Sequence, residues 1–275
     1  MCKTIAKNIQ QVLHLRQEPR MKILNSVLLS LVTSCCFIAF TLVAATATAA
    51  DGDLAAALAS AARPGVDVEN DARRKPLDML VFAGLQSGMD VFEMEAGAGY
   101  YTEILSRAVG ADGSVVLQHT PGLMGFVGDG IDVRTTNNRL ANVRVSITNF
   151  DALDAADNSM DMVTWILGPH ELGFAPGGNS MGDPAATFRE IARILKPGGV
   201  LLASDHIAPV GTGLEAGGTL HRIQESVVTD LATTAGLKEL RSSNILKNPD
   251  DPLTVGVFDP SIRGKTSQFI VLYQK

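Results

Sequence analysis

The chain has 275 residues, 46% of them hydrophobic and 19% charged, with a formal net charge of −6. That composition buries a sizeable core and excludes an intrinsically disordered protein. No block of Lys or Arg is present, which excludes the usual electrostatic footprint of a nucleic-acid partner.

Residues 23–50 contain no charged side chain and end in the small-residue run ATATAA just before Asp51. Arg16, Arg20 and Lys22 precede them. A positive head, an apolar stretch and an A-x-A-like end are the parts of a secretory signal peptide. Met21 offers an alternative start that gives a leader of ordinary length. Cleavage is expected between Ala50 and Asp51 or one residue earlier, which places the remainder in the periplasm or outside the cell. Two alternatives stay open. The run is long enough for an uncleaved anchor, the only contact with a membrane that the sequence suggests. "VTSC" before Cys35 also loosely fits a lipobox. Cys2, Cys35 and Cys36 are the only cysteines, so residues 51–275 need no disulfide. Removing residues 1–50 takes away five basic residues and one acidic residue and leaves a net charge of −10.

After the leader, residues 51–88 read as helix broken at Arg63-Pro64-Gly65 and again near Pro76. "MDVFEME" is a short strand. "YYTEILSRAVG" follows as a helix with Gly110 as its stop. "GSVVLQH", "RVSITNFDALD", "MDMVTWIL", "VLLASDHI" and "TSQFIVLYQK" carry strand patterns. "AATFREIARIL", stopped by "KPGG", and "SVVTDLATTAGL" carry helical ones. Strands alternating with helices predict an α/β fold, a doubly wound and mostly parallel sheet with helices on both faces. No repeat or linker divides residues 51–275, so a single domain is expected there.

In such sheets ligands bind beyond the carboxyl ends of the strands. The first strand runs into "EMEAGAGYY", where Gly97 and Gly99 can bring the backbone close to a ligand and allow positive φ. The dinucleotide pattern needs a third glycine, and that place is Thr102, which weakens a nicotinamide reading. No Lys-Ser/Thr follows, so a nucleoside triphosphate loop is also absent.

Three stretches in this order, "DVFEMEAGAGYYTEIL", "NFDALDAADNSMDMVTWIL" and "FREIARILKPGGVLLASDH", resemble the S-adenosylmethionine-dependent methyltransferases of the Rossmann-like class. The C-terminal half is similar to a bacterial subgroup of methyltransferases with signal peptides. The resemblance covers about residues 70–275 and implies S-adenosylmethionine as cofactor. It puts Glu93, Gly97 and Gly99 against the cofactor's methionine part and Asp151 near the adenine. The place of the acidic residue that usually holds the ribose falls on Gln118 and His119. The loop departs from the family at Glu95, where a glycine is usual. Restoring that glycine is expected to leave cofactor binding at least as tight.

At the end of the fourth strand, His170 is a candidate general base and Glu171 its orienting or substrate-binding partner. Gly97, Asp151 and His170 are expected to line one cleft. Asp205-His206 and His221-Arg222 are further polar groups near the same rim; Arg222 is expected to pair with a surface carboxylate. The glycine-rich stretch before His221 reads as lid-like. Tyr100 and Tyr101 either flank the pocket or pack on the sheet, and Trp165 is expected in the core. No metal ligand is assigned, since no H-x-x-x-H or H-E-x-x-H spacing occurs. The leading function is methyl transfer to a small-molecule substrate. The alternatives are an exported binding protein on the same fold with catalysis lost, and a metal-assisted hydrolase using the histidine-rich rim. Oligomeric state is open.

Overall fold

The computed structural model describes residues 53–275. The leader and its proposed cleavage site lie outside the described residues. Seven strands form one sheet: β1 (Asp90–Met94), β2 (Ser114–His119), β3 (Val143–Ile147), β4 (Met160–Ile166), β5 (Leu195–His206), β6 (Lys238–Ser243) and β7 (Gln268–Gln274). Their order is β3-β2-β1-β4-β5-β7-β6. The first five are parallel, and β7 runs antiparallel to both β5 and β6. This is the expected doubly wound fold.

Alternation along each strand feeds two cores. In β1, Phe92 and Met94 join the face that holds Trp165, Phe150 and Phe188. Val91 joins the opposite face with Leu80, Ile104 and Leu105. Helices α6 (Pro184–Ile194) and α8 (Glu225–Thr234) cover the first face. Helices α2 (Pro76–Ala83) and α3 (Tyr100–Val109) cover the second, joined by Leu54 and Ala57 from a helical stretch at residues 53–58. Helix α1 (Gly65–Arg74) leads into α2, whose Pro76 occupies the first turn where no N–H is needed. Helix α6 starts with Pro184, and its N-cap Asp183 accepts from the Ala186 N–H at 2.7 Å.

Three features escape the periodicity. Lys-Pro-Gly-Gly does not stop α6 in a turn; it is already the first part of β5, with a register shift against β4. β6 (KELRSS) has no buried residue, so its sequence carries no apolar alternation. Short helices α4 (Met124–Val127), α5 (Gly130–Thr135) and α7 (Glu215–Leu220) are too brief to show a 3.6-residue stripe.

The chain winds β1→β2→β3 toward one edge and then crosses to β4 on the other side of β1. The carboxyl ends of β1 and β4 therefore form the switch point at which doubly wound sheets open a crevice.

Candidate active site

The crevice exists at that switch point. It is a cavity of about 460 Å³, lined by the Glu93–Ala98 turn, Tyr100, Tyr101, Thr164, Leu167 and Glu171, and closed by Leu123, Phe126, Phe174, His221 and Phe258. Its size and mixed lining suit a small-molecule site.

The glycine turn is fixed from both sides. On the β2 side, the Glu95 N–H donates to Gln118 Oε1 at 3.0 Å and the Ala96 N–H to the Gln118 carbonyl at 3.1 Å. On the helix side, the buried Arg134 of α5 donates from Nε to the Ala98 carbonyl at 2.9 Å. Its guanidinium also bridges Asp67 at 2.8 Å and Glu103 at 3.2 Å. The two glycines have different tasks. Gly97 has φ +57°, and a Cβ there would meet open space. Gly99 has φ +75°, and a Cβ would stand 2.6 Å from Arg134 Cγ. Gly97 is thus the close-approach residue. Gly99 is absent from the cavity lining and serves the packing of α3 and α5.

Glu95 lines the cavity in a left-handed conformation, φ +46°. A non-glycine residue there carries about 1 kcal/mol of strain. Its carboxylate lies against the end of β2, with Oε1 2.8 Å from His119 Nδ1. Gln118 is fully buried and spends its amide on Glu95 and on the Thr148 carbonyl. His119 is fully buried as well. Neither lines the cavity, so neither stands in directly for a ribose-holding acid. Asp151 is also outside it: its Oδ2 accepts from the Asp183 N–H at 2.9 Å. The loop carrying Met181 covers this edge, with Met181 accepting at its carbonyl from the Phe150 N–H at 2.9 Å and at Sδ from Thr120 Oγ1 at 3.2 Å. The expected common cleft of Gly97, Asp151 and His170 is therefore corrected, since Gly97 alone of the three lines the cavity.

Glu93 is buried and accepts a 2.5 Å hydrogen bond from Thr102 Oγ1. Burial pushes its carboxyl up to about 8, against the lowering pull of Thr102 and Arg134. Thr102, at the place of a third glycine, thus supports the acid that opens the turn.

His170 does not stand ready as a neutral base. It is buried, with Nδ1 3.0 Å from both oxygens of Asp205 and Nε2 3.3 Å from Glu171 Oε1. Burial lowers the imidazole, but Asp205 and then Glu171 outweigh it and bring it up to about 10. At neutral pH it is an imidazolium between two carboxylates. Glu171 is the member of this chain that lines the cavity, and among the described residues its buried Oε2 has no hydrogen-bond partner. Asp205 is saturated by His170 and by the N–H groups of His170 and His206, both at 2.7 Å.

The other rim residues sort as follows. His170 and His221 have ring centroids 5.5 Å apart, and His170 and His206 6.2 Å, so three histidines do converge. They build no metal centre: among the described residues, no three His, Cys, Asp or Glu side chains could share an ion. Arg222 is not at the surface; it is fully buried and bidentate to Asp251 at 2.9 and 3.0 Å. The glycine-rich stretch before His221 is no lid. Gly217 of α7 packs so tightly on the Pro169–Gly173 turn that a Cβ would lie 1.9 Å from the His170 carbonyl oxygen. Tyr100 and Tyr101 do both expected jobs, lining the cavity while nearly buried, and Tyr100 donates to Asp71 Oδ1 at 2.6 Å. Trp165 is fully buried, as expected. Arg74 and Arg134 were not signalled by the sequence, because each arrives from an element outside the recognised motifs; Phe258 lies in the C-terminal stretch of the resemblance but carried no assigned role.

A family model described as a methyltransferase domain matches residues 127–245, under half of the chain. The chain is similar to the ubiquinone/menaquinone biosynthesis C-methyltransferase UbiE of Idiomarina loihiensis, 32% identical over 132 residues, 48% of each protein. The corresponding protein of Hydrogenovibrio crunogenus is 33% identical over 120 residues, 44% of this chain and 43% of the relative. The chain thus spans about half the length of the curated relatives it matches. In structure it resembles an S-adenosylmethionine-dependent methyltransferase of Aquifex aeolicus, with a TM-score of 0.55, 21% identity, and coverage of 76% of this chain and 94% of that one. The fold is the Rossmann-like methyltransferase type, and the partial matches agree with the resemblance read from the sequence.

Proposed function

We propose that the cleft binds S-adenosylmethionine and that the protein transfers its methyl group to a small-molecule acceptor. The observation that carries this reading is the glycine turn itself. It sits at the β1/β4 switch point, pinned on both sides, with the Cα of Gly97 facing open space and three acidic side chains, Glu93, Glu95 and Glu171, on the wall of one cavity. A wall rich in acidic side chains suits a positively charged ligand that also bears hydroxyl and amino donors.

When bound, S-adenosylmethionine supplies an electrophilic methyl group on a sulfonium centre. The protein's part is chiefly positioning and exclusion of water. Gly97 admits the close backbone approach. Leu123, Phe126 and Phe258 shield the cavity mouth. Glu171 accepts the proton that the acceptor loses as its new bond to carbon forms, and the Asp205–His170 pair orients Glu171 for that task. UbiE, by its name, methylates carbon in quinone biosynthesis; the acceptor of this protein need not be the same.

The test is calorimetry of the protein with S-adenosylmethionine. Saturable binding that Gly97→Val abolishes supports the reading. No binding at millimolar ligand, by the parent and by Glu95→Gly alike, overturns it. Mass spectrometry of copurifying small molecules then seeks the acceptor, against which Glu171→Gln should bind cofactor but turn over slowly. We also propose that residues 1–50 export the protein to the periplasm or beyond, on the composition of that segment. N-terminal sequencing of exported material should begin at or next to Asp51.

A further inference from the structure

A second cavity of about 440 Å³ adjoins the cleft past the end of β4. Arg74, Leu167 and Phe258 line both spaces. Leu167 immediately follows β4, on the side where Glu171 stands. The second cavity adds Arg73, Arg263 and Thr266 to its wall and no carboxylate at all.

Three arginines thus line one space. Among the described residues none of them forms a salt bridge. Arg73 donates to Asn70 Oδ1 at 2.6 Å, a neutral partner. Arg74 lies over the Tyr100 ring at 4.6 Å, and its buried Nε has no hydrogen-bond acceptor among the described residues. The nearest acid on the same helix, Asp71, is already held by Arg63 and Tyr100 at 2.6 Å each. Buried or half-buried arginines elsewhere, Arg63, Arg134, Arg139, Arg193 and Arg222, all meet carboxylates. The position of Arg73 is also fixed by packing. Gly264 lies beneath it, and a Cβ there would stand 3.3 Å from Arg73 Cδ. Partial desolvation and then the neighbouring charge of Arg74 hold Arg73 below its ordinary pKa, so these two cations repel.

Like charges gathered without counter-charge are unfavourable unless a ligand supplies it, and guanidinium forks match phosphate and carboxylate oxygens. We propose that this cavity holds an anionic group of the acceptor, a phosphate or a carboxylate, so that the substrate class is a small anionic molecule whose uncharged end reaches Glu171. The proposal rests on reading the adjoining cleft as the methyl-donor site. Arg74, shared by both cavities, marks where donor and acceptor would meet. Arg73 and Arg263, which line the second cavity and not the first, would set specificity.

Inorganic pyrophosphate and citrate serve as probes of the two anion classes, titrated calorimetrically into the full chain at low ionic strength. The parent should bind at least one of them saturably at a single site, and the tighter probe identifies the class. Arg73→Gln and Arg263→Gln should each weaken that binding at least tenfold. Both side chains are solvent-accessible, so melting temperature should hold. Lys247→Gln, in an adjoining groove that shares the Arg73 and Thr266 wall but not Arg263, lies outside this cavity and should leave it unchanged. S-adenosylmethionine binding measured on the same variants should stay within twofold of the parent. Absence of saturable anion binding overturns the proposal. So does binding that Arg73→Gln and Arg263→Gln leave intact, or that Lys247→Gln removes. Loss of cofactor binding in the parent would instead defeat the reading of the first cleft.

Discussion

The Glu95 carboxylate reaches the end of β2, with Oε1 2.8 Å from His119 Nδ1 and Oε2 3.4 Å from the Thr120 N–H. Two departures from the family pattern, an acid where a glycine is usual and no acid at the end of β2, are thereby brought together in space. A carboxylate still stands beside the end of β2 at the cavity wall, but β1 delivers it. The left-handed backbone that a glycine would adopt freely is kept, with strain.

That relationship reverses an expectation drawn from the motif alone. Restoring glycine at position 95 mends the pattern but removes an acceptor that ligand hydroxyls could use. Glu95→Gly should relieve about 1 kcal/mol of left-handed strain and forfeit the contact to His119. The melting temperature should therefore move by less than about 4 °C. The dissociation constant for S-adenosylmethionine should rise about tenfold, the scale of one charge-assisted hydrogen bond. Tighter binding by the variant, measured calorimetrically, would show that the carboxylate obstructs the site.

The two glycines of the turn should separate in the same pair of measurements. Gly97→Ala places its Cβ in open space, so its only intrinsic penalty is the left-handed conformation, about 1–2 kcal/mol. Its main effect should be on cofactor affinity. Gly99→Ala carries the same backbone penalty and drives a methyl into Arg134, loosening the bridge to Asp67 and Glu103. It should melt several degrees below Gly97→Ala. Equal melting temperatures for the two would remove the distinction drawn between them.

The parts legible in the sequence are those whose physics is local. The strand–glycine–helix turn, the buried Trp165 and the alternation of helices with strands each follow from residues close in the chain. What escaped depends on long-range encounters. Arg134 reaches Asp67 across 67 positions and Arg222 reaches Asp251 across 29, and no spacing rule connects them. His170 reads as a near-neutral base only while Asp205, 35 positions away, is not known to grip it. Asp151 reads as a ligand contact only while its bond to Asp183 is unseen.

Glu93 links cofactor binding to pH. Burial raises its carboxyl to about 8, above the ordinary value near 4.5, so at neutral pH most of it is protonated. A cationic ligand beside it favours the ionised form, so binding should release a proton. Affinity for S-adenosylmethionine should increase as pH rises from about 6.5 to 8.5. The binding heat at pH 7 should vary with the ionisation enthalpy of the buffer. Glu93→Gln, which cannot ionise, should flatten both dependences relative to the parent. A parent protein that takes up protons on binding, or a variant with the parent's pH profile, contradicts this assignment.

His170 predicts the alkaline limit of folding. Its imidazole is raised from near 6.5 to about 10 by Asp205 and Glu171, against the opposing effect of burial. A group whose folded pKa exceeds its unfolded one contributes fully below the unfolded value and loses that contribution as pH rises through the folded value. The stabilisation is thus intact below about pH 6.5 and disappears toward pH 10. Glu93 works in the same direction, since the folded state resists its ionisation, but its window closes near 8. Between pH 8.5 and 10, the fall in melting temperature should therefore belong mainly to His170. His170→Gln should abolish most of that slope. It should also lower stability by about 3–5 kcal/mol at pH 7, because Asp205 is left buried with backbone donors alone. The double variant His170→Gln with Asp205→Asn removes the stranded charge as well and should recover part of the loss. If His170→Gln melts like the parent at pH 7 and keeps its alkaline slope, the imidazolium between Asp205 and Glu171 is not what holds this rim in place.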